Sequence, residues 1–328
     1  MKKFLFMGGR GFLALMDICW VLSAIFICAA WWIGWIFKDQ TKLTMWFFFV
    51  PSVLVIFFGF TWLFFTLSHR FRLIQLLVFV TIFTCFFKVL VVDHQWNKQP
   101  HKLPKDNIRL LHWNTAWGVL GVESIVRTMS YDNPDVVMIS EPPRIDMISD
   151  IAYHALGMEN IFTDAGMTVA SRFPITYMGP IPIQSGAAWR VRIDTDHGPL
   201  EFVAVDLVSH PTLNRKRPLK ALADWIDTRT NNYPLVMVGD FNTSHDSVSF
   251  LPMRQKMRRA YEVNGRGWPY TWPVPFPVFA IDHTWLSPDI TVNDYFYKVA
   301  RYSDHKRQIA DISLPAQKTG TTNNVVQP

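Results

Sequence analysis

The chain has 328 residues, of which 50% are hydrophobic, 15% aromatic and 18% charged. That balance excludes a disordered or collagen-like polymer, and three cysteines are too few for a disulfide-built fold. The formal net charge of +6 is unevenly spread. Residues 1–95 hold eight Lys/Arg against three acids, and the remainder holds 24 against 23. The basic excess belongs to the apolar third and is no sign of a nucleic-acid-binding surface.

In chain order, the first element is Ile18–Phe37, twenty residues without a charge. Leu43–Leu67 gives twenty-five more, and Leu73–Val92 gives twenty with only Lys88 inside. Each run can cross a hydrocarbon core, which takes roughly 20 apolar residues as a helix. Three transmembrane helices are expected, over about 12–37, 43–67 and 71–92. Trp20, Trp31, Trp32, Trp35, Trp46 and Trp62 lie mostly toward the run ends, as interfacial aromatics do. Pro51 and Gly59 are places for a kink in the second span. The first run is too long for a cleaved signal peptide.

Orientation is less decided. With the N-terminus inside, Lys2, Lys3, Arg10, Arg70 and Arg72 are inner, and Lys38, Lys42, Lys98, Lys102 and Lys105 are outer. The basic N-terminal flank breaks this tie and puts residue 96 onward outside. All three cysteines fall in the spans, and a Cys-free polar domain suits an oxidising compartment. The expected location is a bacterial inner membrane with an extracytoplasmic domain.

Residues 96–107, with Pro100 and Pro104, read as a linker. Strand patterns follow at Ile108–Trp113, Asp135–Ser140, Met167–Ser171, Ala188–Ile193, Leu200–Leu207, Leu235–Val238, Ala280–Leu286, Thr291–Tyr297 and Gln308–Leu314. Helix patterns occupy Val122–Met129, Arg144–Leu156 and Arg217–Thr230. Many strands with few helices imply a layered α/β domain over 108–314. The polar tail, 315–328, is expected to be disordered.

The strands end abruptly in polar groups. Leu110–Trp113 ends at Asn114, Val136–Ile139 at Ser140-Glu141, and Leu235–Val238 at Gly239-Asp240-Phe241-Asn242. Ile281 meets Asp282-His283, and Ser303 leads into Asp304-His305. Such groups on one rim of a sheet can bind a cation and a phosphate together. Asp240 and Asn242 taken alone are equally ordinary turn residues, and His305 alone is an ordinary surface histidine.

Trp-Asn-Thr (113–115), Ser-Glu-Pro (140–142), Ser-Arg-Phe-Pro (171–174), Gly-Asp-Phe-Asn (239–242), Ile-Asp-His (281–283) and Ser-Asp-His (303–305) stand in this order. In this the chain resembles the endonuclease/exonuclease/phosphatase superfamily, with its deoxyribonuclease I-like fold, over about 108–314. Tyr270-Thr271-Trp272-Pro273 resembles its membrane-attached bacterial members. The resemblance implies a four-layer α/β sandwich and a divalent-metal-dependent phosphoesterase using Mg²⁺, with Mn²⁺ as an alternative. Its implied cation ligand is Glu141, with Asn114 binding the cation or a phosphate and Asp304 supporting the cation. His305 is the implied general base, Asp282 its orienting carboxylate, Asp240 the group that orients water, and Asn242 a donor to a phosphoryl oxygen.

One departure concerns the leaving group. Where many family members have a histidine, this chain has Asp206, with His210 four residues later. Asp206 then protonates the leaving group or holds metal, or His210 is brought inward, or the step is weakened. Ala116, where a polar residue is common, argues for one bound ion. His112, Trp113 and His283 read as packing residues and His245 as a candidate for the pocket lining. Arg215-Lys216-Arg217 is either an anion-attracting cluster or a solvated helix start. The implied partners are a lipid bilayer and a phosphate-ester substrate, of the nucleic-acid or lipid-headgroup class, and no protein partner is inferable. The rival reading is a non-catalytic membrane receptor or scaffold that retains the fold.

Overall fold

The computed structural model describes residues 9–66, 72–144, 156–210 and 213–316. The expected helix at Arg144–Leu156 and the tail lie mostly outside the described residues. Two compact units are present. One comprises Met1–Gln95 with the short segments His210–Asn214 and Asp246–Ser249, and the other comprises the rest.

In the first unit, α1 (Gly9–Phe37) and α4 (Arg72–Phe87) are the long helices, and α4 runs on as a π-helical turn to Asp93. Leu15–Phe37 and Arg72–Asp93 are each long and apolar enough to cross a membrane. The second apolar run is broken at Pro51, one of the two places where a kink is expected. It forms α2 (Lys42–Phe48) and α3 (Ser52–Phe65), bent by 66° at the break. Pro51 is the cause, because it has no N–H to continue a ladder and starts α3 as its N-cap residue. Ala24, Cys28, Trp62, Val78 and Ile82 pack together. Indole N–H groups are satisfied internally, with Trp31 donating to Ser52 Oγ at 3.0 Å and Trp32 to Thr81 Oγ1 at 3.1 Å. Phe57, Phe64 and Phe83 are left exposed, as suits an apolar surrounding.

The second unit is built on two sheets. The strands are β1 (Gln95–Trp96), β2 (Ile108–Asn114), β3 (Val136–Ser140), β4 (Asn160–Asp164), β5 (Met167–Ser171), β6 (Ile175–Pro180), β7 (Gly186–Thr195), β8 (Gly198–Leu207), β9 (Leu235–Asp240), β10 (Arg258–Arg259), β11 (Gly265–Gly267), β12 (Asp282–Leu286), β13 (Thr291–Lys298) and β14 (Arg307–Ser313). One sheet runs β1-β11-β13-β14-β2-β3-β5-β4, the other β10-β12-β9-β8-β7-β6. The helices are α5 (Val122–Ser130), α6 (Lys216–Asp227), α7 (Leu251–Arg254) and α8 (Ala260–Asn264).

Strand alternation creates the layers. Leu110 and Met138 of one sheet meet Phe202, Ala204, Val236 and Val238 of the other in the central core. Their neighbours face outward: Leu111 and Val137 pack on Ile125 and Met129 of α5, while Val203 and Met237 pack on Leu219 and Leu222 of α6. Helix, sheet, sheet, helix is the four-layer α/β sandwich of the deoxyribonuclease I-like fold.

The same alternation fixes the functional end. Two residues beyond Val238, Asp240 faces the space between the sheets, as Asp206 does beyond Ala204 and Asn114 beyond His112. Residues 206 and 240 are paired in parallel register, and 240 and 282 in antiparallel register. Three aspartates therefore stand side by side across β8, β9 and β12.

Gly239 makes this close approach possible. A Cβ there would sit 1.8 Å from the Val205 carbonyl oxygen, and φ is +153°. Gly239→Ala is expected to cost about 3 kcal/mol or more, because backbone rather than a flexible side chain must move. Thermal melting of the variant against wild type measures this, and an unchanged midpoint would refute it.

Candidate active site

His305, just before β14, donates from Nδ1 to Asp282 Oδ2 at 2.9 Å, and its Nε2 lies 3.9 Å from Asp240 Oδ2. Asp240 Oδ2 also accepts from Asn114 Nδ2 at 3.1 Å, which ties the two sheets together across the site. Asp240 Oδ1 accepts from the Asn242 N–H at 2.8 Å. His305, Asp240, Asp282 and Asn114 are all buried.

Electrostatics follows from this crowding. Burial opposes the charge of His305, but the charge and hydrogen bond of Asp282 outweigh it, and the imidazole is pushed up to about 10. Burial likewise opposes the Asp282 carboxylate, and the His305 charge and hydrogen bond hold it below its ordinary value. Asp240 is pushed up by burial and then by the neighbouring Asp282 charge. Half-buried Asp206 is pushed up to about 8, first by burial, then by the negative charges of Asp240, Glu141 and Asp282.

The remaining candidates are placed less centrally. Glu141 follows β3 with φ +47° and is half-buried; among the described residues nothing donates a hydrogen bond to its carboxylate. Asn242 has φ +45° and directs its amide to the Leu207 carbonyl at 2.6 Å. Non-glycine residues in this conformation are strained and cluster at functional sites. Asp304 is exposed and accepts from Trp272 Nε1 at 2.7 Å. His210 belongs to a segment grouped with the apolar unit, whereas Asp206 stands in register with Asp240.

Sequence reasoning missed three supports. His112 is not mere packing: its Nδ1 accepts from Gln308 Nε2 at 2.6 Å, and its Nε2 donates to Ser140 Oγ at 3.0 Å. That tautomer follows from Gln308, whose oxygen accepts from Thr284 and Tyr295. Burial lowers His112 to about 4, so it is neutral, 3.9 Å behind Asp282 Oδ1. Thr271 Oγ1 accepts from the Asp282 N–H at 3.4 Å. Of the basic trio, Lys216 and Arg217 are exposed, while Arg215 is buried and donates to the Asn242 carbonyl at 3.1 Å. Only strand pairing across nearly 200 residues could reveal the His112–Gln308 contact. The basic trio was visible, but not which member turned inward. His283 is buried on the outer face, held by Arg259 Nε at 3.1 Å and bonded to the Thr243 carbonyl at 2.8 Å. His245 acts electrostatically on His283.

The model of the endonuclease/exonuclease/phosphatase family matches residues 111–305, more than half of the chain. The chain belongs to this family. Its members are hydrolases of phosphoester bonds, and the buried Asp240, Asp282 and His305 lie inside the matched range. Solved family structures share the fold. An endonuclease/exonuclease/phosphatase from Bacteroides vulgatus is 17% identical with a TM-score of 0.51, covering 64% of this chain and 100% of that one. A mannosyl-6-phosphatase from Bacteroides thetaiotaomicron is 15% identical with a TM-score of 0.50, covering 63% and 100%. The human Nocturnin catalytic domain, solved with a bound sulfate, is 16% identical with a TM-score of 0.50, covering 65% and 96%. No curated protein is similar enough in sequence to count as a relative.

Proposed function

We propose that this protein is a membrane-anchored, divalent-metal-dependent phosphoesterase. The observation that carries the reading is the Asp282–His305–Asp240 alignment, with Asp206 close enough to Glu141 to feel its charge.

Four carboxylates sharing one imidazole and one buried guanidinium are a concentration of hard oxygen donors that fits Mg²⁺ or Mn²⁺. Asp240, Asp282 and His305 bring ligand-type atoms within 4.8 Å of one another. Asp282 and His305 are already bonded to each other, so Glu141 is the better ligand, with Asn114 beside it and Asp304 supporting from the rim. A bound cation would offset charge building on the phosphoryl oxygens.

The 3.9 Å between His305 Nε2 and Asp240 Oδ2 is too long for a hydrogen bond, and a water oxygen about 2.8 Å from each fits between them. The charge and hydrogen bond of Asp282 favour the protonated form of His305, and a protonated imidazole has no lone pair for a second proton. The base role expected of His305 therefore passes to Asp240, and His305 Nε2–H becomes a donor to a phosphoryl oxygen. Water attacks phosphorus as Asp240 takes its proton. The bond to the leaving oxygen breaks with its electron pair, and that oxygen receives the proton of Asp206. Asn242 and Arg215 brace the loop after β9. The phosphatase activity named for one structural neighbour and the sulfate bound in another accord with a phosphate-ester substrate.

Counting α2 and α3 as one span gives three crossings. With the N-terminus inside, these anchor the chain in a bacterial inner membrane with the catalytic domain outside. The test is hydrolysis of bis(p-nitrophenyl) phosphate by the full chain in detergent with Mg²⁺ or Mn²⁺, then with chelator, and by intact spheroplasts. Turnover abolished by chelator is the expected result, and it should be visible without lysis. A folded chain without turnover under any metal would favour the receptor reading, and turnover only after lysis would reverse the topology.

A further inference from the structure

Two uncharged loops adjoin the catalytic groups. The first, 115–121, leaves β2 just after Asn114, and the Trp117 N–H donates to the Glu141 carbonyl at 2.8 Å. It exposes Trp117 by 60%, Val119 by 79% and Leu120 by 57%. The second, 268–279, is a hairpin leading to Asp282, with its arms joined between Trp272 and Phe279. Its Trp272 indole and Val274 N–H both bond Asp304, and its Thr271 carbonyl accepts from the Lys306 N–H, so the hairpin is fastened on both sides of His305. At its tip stands Pro275-Phe276-Pro277, with Phe276 81% exposed.

Burying large apolar side chains is favourable, and holding several of them in water beside a polar site calls for an apolar contact. Neither loop contains a charged residue. A nucleic acid would need cations in these loops to replace its counterions, and they supply none. The same chain carries helices long and apolar enough to cross a membrane, so amphiphiles are what it is confined with. We infer that the substrate is a lipid phosphate ester presented at a lipid surface, whose apolar part is engaged by Phe276 and the 117–120 loop. This rests on the phosphoesterase reading and names its substrate class.

The probes are two diesters with one leaving group: ethyl p-nitrophenyl phosphate in solution and hexadecyl p-nitrophenyl phosphate in mixed micelles. With the full chain in detergent, kcat/KM for the hexadecyl ester should exceed that for the ethyl ester by about tenfold or more, the scale of one buried aromatic side chain. Phe276→Ser should lower this ratio about tenfold, and Phe276→Trp should restore it. Turnover of the ethyl ester reports the folded site in every variant. A wild-type ratio near one, or a ratio that Phe276→Ser leaves unchanged, overturns the inference while sparing the phosphoesterase reading. Nicking of plasmid DNA that falls in Phe276→Ser also overturns it, in favour of base stacking. Hydrolysis of neither ester removes the phosphoesterase reading and this inference with it.

Discussion

Asp240→Asn and His305→Ala are each expected to lower kcat on a bis-aryl phosphodiester by about 10²–10⁴-fold, the usual range for a positioned proton-transfer group. The two losses should not add, because the groups stand 3.9 Å apart and serve the same attack on phosphorus. Their pH dependences separate the roles. If Asp240 is the base, the rate rises as its carboxyl ionises and falls as His305 loses its proton, which in the metal-free protein lies at about 10. The profile is then a bell, and His305→Ala removes its alkaline limb while keeping the acid one. If His305 were the base, the rate would still be climbing through that region and the variant would lose the climb instead. A cation near Glu141 moves both limbs to lower pH and leaves their order unchanged. A pH–rate profile of wild type and His305→Ala, measured at saturating Mg²⁺, decides between them.

The convergence of these polar residues was legible because strand alternation is strict at the places where polarity intrudes. Apolar residues at 236 and 238 put residue 240 on the inner face, and the same parity places 114 and 206, so candidate residues could be read from ends of runs. What the loops do was not legible. The left-handed backbone at Ala116, Trp117 and Glu141 falls on residues with no particular preference for it, unlike that at Asn242. The bond from Trp272 to Asp304 joins positions 32 apart. Edge strands β4 and β6 were missed because they are partly exposed and lack the buried runs of β3 or β9. In the apolar third, hydropathy identified the second run but not its break. Continuous apolarity carries no phase, and only Pro51 marked where the ladder fails.

Asp206→Asn should divide substrates by leaving group. A p-nitrophenolate departs without a proton, so that ester should lose less than about tenfold, whereas an alkyl ester should lose about 10²–10³-fold. The register puts Asp206 on the strand next to Asp240, inside the carboxylate cluster that governs its proton. Burial and three neighbouring carboxylates hold its proton on up to about 8. A general acid must be protonated, so wild-type hydrolysis of an alkyl ester falls above that pH in proportion to the ionised fraction, while the aryl ester continues to the His305 limit. Cation binding brings the break to lower pH for the alkyl ester alone. A ratio of alkyl to aryl turnover that is flat in pH, and equal in wild type and Asp206→Asn, would return the aspartate to a metal-holding role. The chain would then lack a leaving-group acid, and only esters with good leaving groups would be turned over, the weakened-step alternative that the missing histidine raises.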